Sequence, residues 1–265
     1  MNRKNKYPAA MTIIIICAVI CLLIQFWPPY LNLTERAILF GAYYKAFIAA
    51  GEWWRFLTVG FVHVSFLHLM MNMLSLHALG RALEPSMKPA GFLILLFGSV
   101  IGGSVFLFCT SGNTVGVGLS GGLYGLLAAY IYLMSIAGAM KIPQVRSGVY
   151  RTVLMNLLIN FMPGVAWRAH FGGAVTGLLL IMILSRRNVM DDLKRNSIIA
   201  FCILLLVSAA AVKKNAYINK SERYLRTDIN LLRCESSLGM TSYAADMAKN
   251  LDRIYDSSEL EQMFH

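Results

Sequence analysis

Ser120, His170, His68, Asn72 and His63 are the side chains whose types and spacing could do chemistry, because each lies in or beside a long apolar run. Strongly polar groups at that depth are expensive to bury, so each is a candidate functional residue. Ser120 follows the glycine-rich segment 111–118 and opens the run SGGLYGLLAAY. A serine at the start of a helix sits among backbone N–H groups without intrahelical partners, which suit the oxyanion formed when a serine oxygen attacks a carbonyl. The plain alternative is an N-cap or packing serine, the role expected of Ser99 and Ser104. His170, in AHFGGAVTGLLL, could take the proton that a serine nucleophile must lose.

Gly173 and Gly177 lie three and seven positions after His170, on one helical face, and Gly121 with Gly125 form a matching stripe after Ser120. Such stripes let two helices approach closely, which would carry the hydroxyl and the imidazole toward each other. They also occur in any membrane bundle, where they report packing alone. His68 and Asn72, four apart on another span, share a face and can donate toward a developing negative oxygen. A metal site from His63, His68 and His77 is the weaker reading, since His77 projects nearly opposite His68 on an ideal helix; no metal and no cofactor is expected.

The elements that must position these residues follow from composition. With 57% hydrophobic and 14% charged residues, the chain is far too apolar for a soluble fold of its length. Only Glu35, Glu52 and Glu84 are acidic before Met190, whereas ten of thirteen acids fall after it. The apolar runs 8–27, 64–83, 91–110, 119–137, 149–163 and 167–185 predict six transmembrane helices, and 197–212 a seventh, against a requirement of about 20 residues per span. Spans two, four and six then run in one direction, with the candidate residues in their first turns and within roughly 10 Å of a common depth.

Arg3, Lys4 and Lys6, then Arg81 and Lys88, Lys141 and Arg146, and Arg186, Arg187, Lys194 and Arg195 flank alternate connections, which predicts that the N-terminus (1–7) and these loops are cytoplasmic. Arg36, Lys45 and Arg55 lie in the opposite loop 28–63, whose Trp27, Tyr30, Tyr43, Tyr44, Trp53 and Trp54 predict a course along the outer headgroup layer. Pro28 and Pro29 should stop the first helix. Residues 213–265 read as a small polar appendage with a helix around 240–255, outside by span count, although Lys213, Lys214, Lys220, Arg223 and Arg226 strain that placement. The five cysteines have no metal or disulfide spacing.

The +11 formal charge is dispersed in short clusters between apolar runs, which fits lipid headgroups and excludes a nucleic-acid stripe. The chain has no HExxH and no aspartate before Asp191, which removes zinc and aspartyl intramembrane proteolysis. Gly118-x-Ser120-x-Gly122 matches the hydrolase elbow only in letters, because that turn needs a strand and a parallel sheet.

The order of motifs across about residues 50–185 resembles the rhomboid intramembrane proteases: Trp54-Arg55, HVSFLHLMMN with His63, His68 and Asn72, GLSG with Gly118, Ser120 and Gly121, then Tyr124, and His170 with Gly173 and Gly177. The resemblance implies an all-α membrane protein: a rhomboid-like six-transmembrane-helix bundle at 8–187, followed here by the seventh helix (197–212) and a small helical polar tail (213–265). It implies a serine endopeptidase that cleaves transmembrane protein substrates near the outer face with a Ser120–His170 dyad and no third acidic member. It further implies that His68, Asn72 and the Ser120 N–H bind the oxyanion, that Tyr124 packs on the His170 ring and that His63 supports the second span. Trp54-Arg55 and the Gly80-to-Glu84 motif are implied to be structural. Substrate is expected to arrive laterally past the fifth span. The expected location is a bacterial plasma membrane, with the active site opening outward. The rival readings are an inactive rhomboid-like protein that binds client helices, and a transporter in which His68, Asn72 and His170 line a polar path.

Overall fold

The computed structural model describes residues 7–185, 191–214, 216 and 218–263. Arg3, Lys4, Lys6, Arg186 and Arg187, and the side chains of Lys194, Arg195, Lys213 and Lys220, lie outside the described part of the chain. The helix α1 (Pro8–Phe26) stops at Trp27, directly before the Pro28-Pro29 pair. Short helices α2 (Leu33–Leu39), α3 (Lys45–Ala49) and α4 (Arg55–Thr58) follow. Asn32 and Glu35 cap α2 reciprocally, which satisfies two of its free N–H groups.

The helix α5 (Phe66–Thr110) is interrupted at Lys88, with φ 63° and ψ 159°. Pro89 disfavours the helical conformation for the residue before it, so the chain doubles back there. An added Cβ on Gly80 would lie 3.7 Å from Phe92 Cζ, across the two arms. The separate spans 64–83 and 91–110 are therefore joined more tightly than the sequence suggests, with helix continuing on both sides of a single residue.

Next come α6 (Ser120–Ile136), α7 (Pro143–Ile159), α8 (Trp167–Leu184) and α9 (Asp191–Lys214). The run expected as a fifth span at 149–163 lies largely in α7, which Pro143 starts, as the fixed proline φ favours at a first helical turn, and which ends at Asn160. The helices α1, α5 and α8 are long and apolar enough to cross a membrane, while α6 and 196–212 are shorter apolar helices. The arms of α5 pack with α6, α8 and α1 around Leu76, Phe92, Leu96, Val100, Leu126 and Leu180.

The tail forms α10 (Leu225–Ser237) and α11 (Thr241–Tyr255). It is not merely a polar appendage. Leu231, Leu232, Met247, Ala248 and Leu251 are buried with Ile38, Phe47 and Ile24, so the tail and segment 28–63 build one shared apolar core, a cap over one end of the bundle. Tyr43 and Tyr44 accordingly leave the headgroup role expected of them: both are fully buried, whereas Trp27, Tyr30, Trp53 and Trp54 remain exposed. The departure from an all-α fold is a two-residue antiparallel pairing of β1 (Tyr43–Tyr44) with β2 (Val115–Gly116).

The basic residues of segment 28–63 also have internal partners. Arg36 donates to the carbonyl of Gln25 at the end of α1 and to that of Leu31 in the following loop, and Lys45 Nζ to that of Ser111. Arg55 pairs with Glu52 and donates to the carbonyls of Ile38 and Ala42, with the Trp54 ring 4.4 Å from its guanidinium. These cations are committed to the fold, so their presence in that loop does not oppose the charge bias of the other connections.

Candidate active site

Ser120 is the first residue of α6, and the turn before it depends on Gly118, whose φ of +112° favours glycine. The His68 imidazole occupies the place a side chain would need there: an added Cβ on Gly118 would fall 2.6 Å from His68 Cε1. The incoming loop is strapped by the β1–β2 pairing, by the Gly118 N–H to the Val59 carbonyl at 3.1 Å, and by the Asn113 N–H to Glu222 at 3.0 Å. The cap thus fixes the segment that presents the serine.

The small-residue stripes do meet. An added Cβ on Gly173 would lie 2.0 Å from the Gly121 carbonyl oxygen, and one on Gly177 would lie 2.4 Å from Gly125 Cα. At this separation the Ser120 hydroxyl, half-buried, lies 2.8 Å from Nε2 of buried His170. The Tyr124 ring stacks on the imidazole, 4.2 Å between centroids and 8° from parallel. Among the other expected site residues, His63 sits edge-on to His68 at 5.2 Å. Asn72 is buried and donates one amide hydrogen to the His68 carbonyl at 2.9 Å, which leaves the second hydrogen of that amide. Glu84 and Trp54-Arg55 lie away from this group. Glu84 accepts from the N–H groups of Ala9 and Ala10, and Arg55 is locked in the cap.

Two residues absent from the sequence reading join the site. Nδ1 of His170 is 2.5 Å from Oδ1 of Asn160, at the end of α7, and the Tyr124 hydroxyl donates to the Asn156 carbonyl at 2.8 Å. The rule that drew attention to Asn72 applies equally to Asn160, a polar residue beside an apolar run. Asn156 contributes its main-chain carbonyl, which no side-chain pattern marks.

Residues 50–187 match the rhomboid domain. The chain belongs to the rhomboid family. This rhomboid is similar to Rhomboid protease GluP of Bacillus subtilis, 31% identical over 145 residues that make up 54% of this chain and 28% of that protein. It is similar to RHOMBOID-like protein 5 of Arabidopsis thaliana, 35% over 153 residues, 56% and 49% of the two chains. It also resembles Rhomboid protease AarA of Providencia stuartii, 28% over 182 residues, 59% and 65%. The chain spans less than half the length of the first two relatives. Family and apolar helices together make this rhomboid an integral membrane protein.

Proposed function

We propose that this rhomboid is an intramembrane serine endopeptidase acting on transmembrane segments of other proteins through Ser120 and His170. The observation that carries the reading is the 2.8 Å contact between the serine hydroxyl and His170 Nε2 at the start of α6. The Ser120 hydroxyl attacks the scissile carbonyl carbon as its proton passes to Nε2. The oxyanion forms beside the Ser120 N–H and within the reach of the His68 and Asn72 donors. His170 then protonates the departing amine, leaving an acyl-enzyme, and the same imidazole activates water to hydrolyse it.

A substrate helix hides its peptide bonds, so cleavage requires local unwinding in a protein-enclosed site reached by water. In the topology we propose, six helices form the catalytic unit, α9 is a seventh span, the N-terminus is cytoplasmic and the cap lies outside. The site opens near the outer face of a bacterial plasma membrane, with lateral access past α7. Reconstituted protein should cleave a single-pass substrate and label with a fluorophosphonate, while Ser120→Ala inserts and folds but does neither. Cleavage by Ser120→Ala at the wild-type rate, or an inert wild type, would overturn the assignment; an inert wild type that retains client helices would favour a client-binding role.

A further inference from the structure

We propose that Asn160 is a positioning residue that fixes the tautomer and orientation of His170, making the catalytic group a hydroxyl–imidazole–amide chain. The inference rests on the proteolytic reading of the same site and adds a member to it. A neutral imidazole carries one N–H, and a side-chain amide oxygen can only accept. With Asn160 Oδ1 2.5 Å from Nδ1, the hydrogen resides on Nδ1, and Nε2 presents its lone pair to the Ser120 hydroxyl 2.8 Å away. In the other tautomer, Nε2–H would point at Ser120 Oγ and the base would be disarmed.

Tyr124 stacks flat on the imidazole, 8° from parallel, and its hydroxyl is itself tied to the Asn156 carbonyl one turn before Asn160. Ring plane and ring rotation are thus set by different residues. A neutral amide suits a site among apolar helices, since it orients the ring without adding an ion at that depth. Helix capping alone does not explain the contact: ending α7 requires only the Asn160 backbone N–H, which bonds the Leu157 carbonyl at 3.1 Å. Val149 is the buried residue of α7, and at the end of that helix Asn160 reaches the imidazole of α8.

The test uses the full chain in proteoliposomes, with imidazole nitrogen-15 shifts of His170 and the pH profile of cleavage as readouts. In the wild type the shifts should report a hydrogen on Nδ1; in Asn160→Ala they should report mixed tautomers, with kcat lowered on the order of 10²-fold and KM within about twofold. Asn160→Asp should retain activity at alkaline pH and move the acid limb of kcat/KM upward by about one pH unit, because a carboxylate stabilises the imidazolium. Unchanged shifts in Asn160→Ala, or an unmoved limb in Asn160→Asp, would overturn the proposal. Should Asn160→Ala fail to fold, the Asn160→Asp profile decides. Tautomer control without cleavage by the wild type would sink the proteolytic reading, and with it the catalytic part of this proposal, leaving only the orientation of His170 by Asn160.

Discussion

Glu84 shows how a buried charge can belong to the frame instead of the chemistry. Its two carboxylate oxygens accept from Ala9 and Ala10 at 2.8 and 3.0 Å, completing the first turn of α1, where the helix dipole favours a negative group. Gly80, one turn earlier, lets α1 approach: an added Cβ would meet Ala10 Cβ at 2.5 Å. Glu84→Ala leaves two buried donors unpaired and should destabilise the bundle by about 2–5 kcal/mol, with Glu84→Gln losing less because it keeps an acceptor. Unfolding in detergent micelles would measure both. Equal midpoints for Glu84→Ala and the wild type would remove Glu84 from the frame. The resemblance to the rhomboid pattern marks this residue, but its partners lie some 75 residues away and appear only in the folded chain.

At the scale of elements, α6 and α8 approach so closely that backbone meets backbone. Gly177 lies two turns from His170, yet an added methyl there would fall 2.4 Å from Gly125 Cα, an atom that cannot swing aside. Gly177→Ala should therefore separate the two helices, costing about 1–3 kcal/mol and depressing turnover while membrane insertion persists. Gly148→Ala on α7 is the matched control, since nothing lies within 4 Å of its added methyl. Cleavage assays and thermal unfolding on the two variants check this, and equal behaviour would mean that the stripe does not set the distance between serine and histidine. The glycine periodicity was legible in the sequence; the pairing of one stripe with the other follows from three-dimensional register.

For the molecule as a whole, the cap couples segment 28–63, the tail and the loop leading to Ser120. Its centre is Asp228, fully buried and receiving the Tyr44 and Tyr255 hydroxyls at 2.7 and 2.9 Å. Burial pushes the Asp228 carboxyl up to about 7, against the lowering effect of those hydroxyls. Glu235 is likewise raised to about 7, by burial and then by the neighbouring Glu52. Both groups hold protons in the docked cap that a detached cap releases above the ordinary carboxylate range of about 4. Docking should thus be strongest in acid, weaken by about 1.4 kcal/mol per pH unit for each group as pH rises toward 7, and level off above it. Hydrogen-exchange protection of α10 and α11, corrected for intrinsic rates, would follow this slope, and Asp228→Asn should flatten part of it. Protection independent of pH in the wild type would contradict the linkage.

The sequence by itself determined that this is an apolar helical bundle, which of its serines precedes a glycine-lined helix, and which histidine carries a matching stripe. Those signals are local: run length, spacing along one helix and the distribution of charge are properties of a one-dimensional string. Only the tertiary structure decided that Asn160 faces Nδ1 of His170, that Tyr43 and Tyr44 leave the interface for a buried core, and that Arg36, Lys45 and Arg55 serve backbone carbonyls. Each of these outcomes depends on which side chain reaches which distant partner. A hydrogen bond needs its atoms within a few tenths of an ångström of the right separation, and helix crossing, register and rotamer together set that distance.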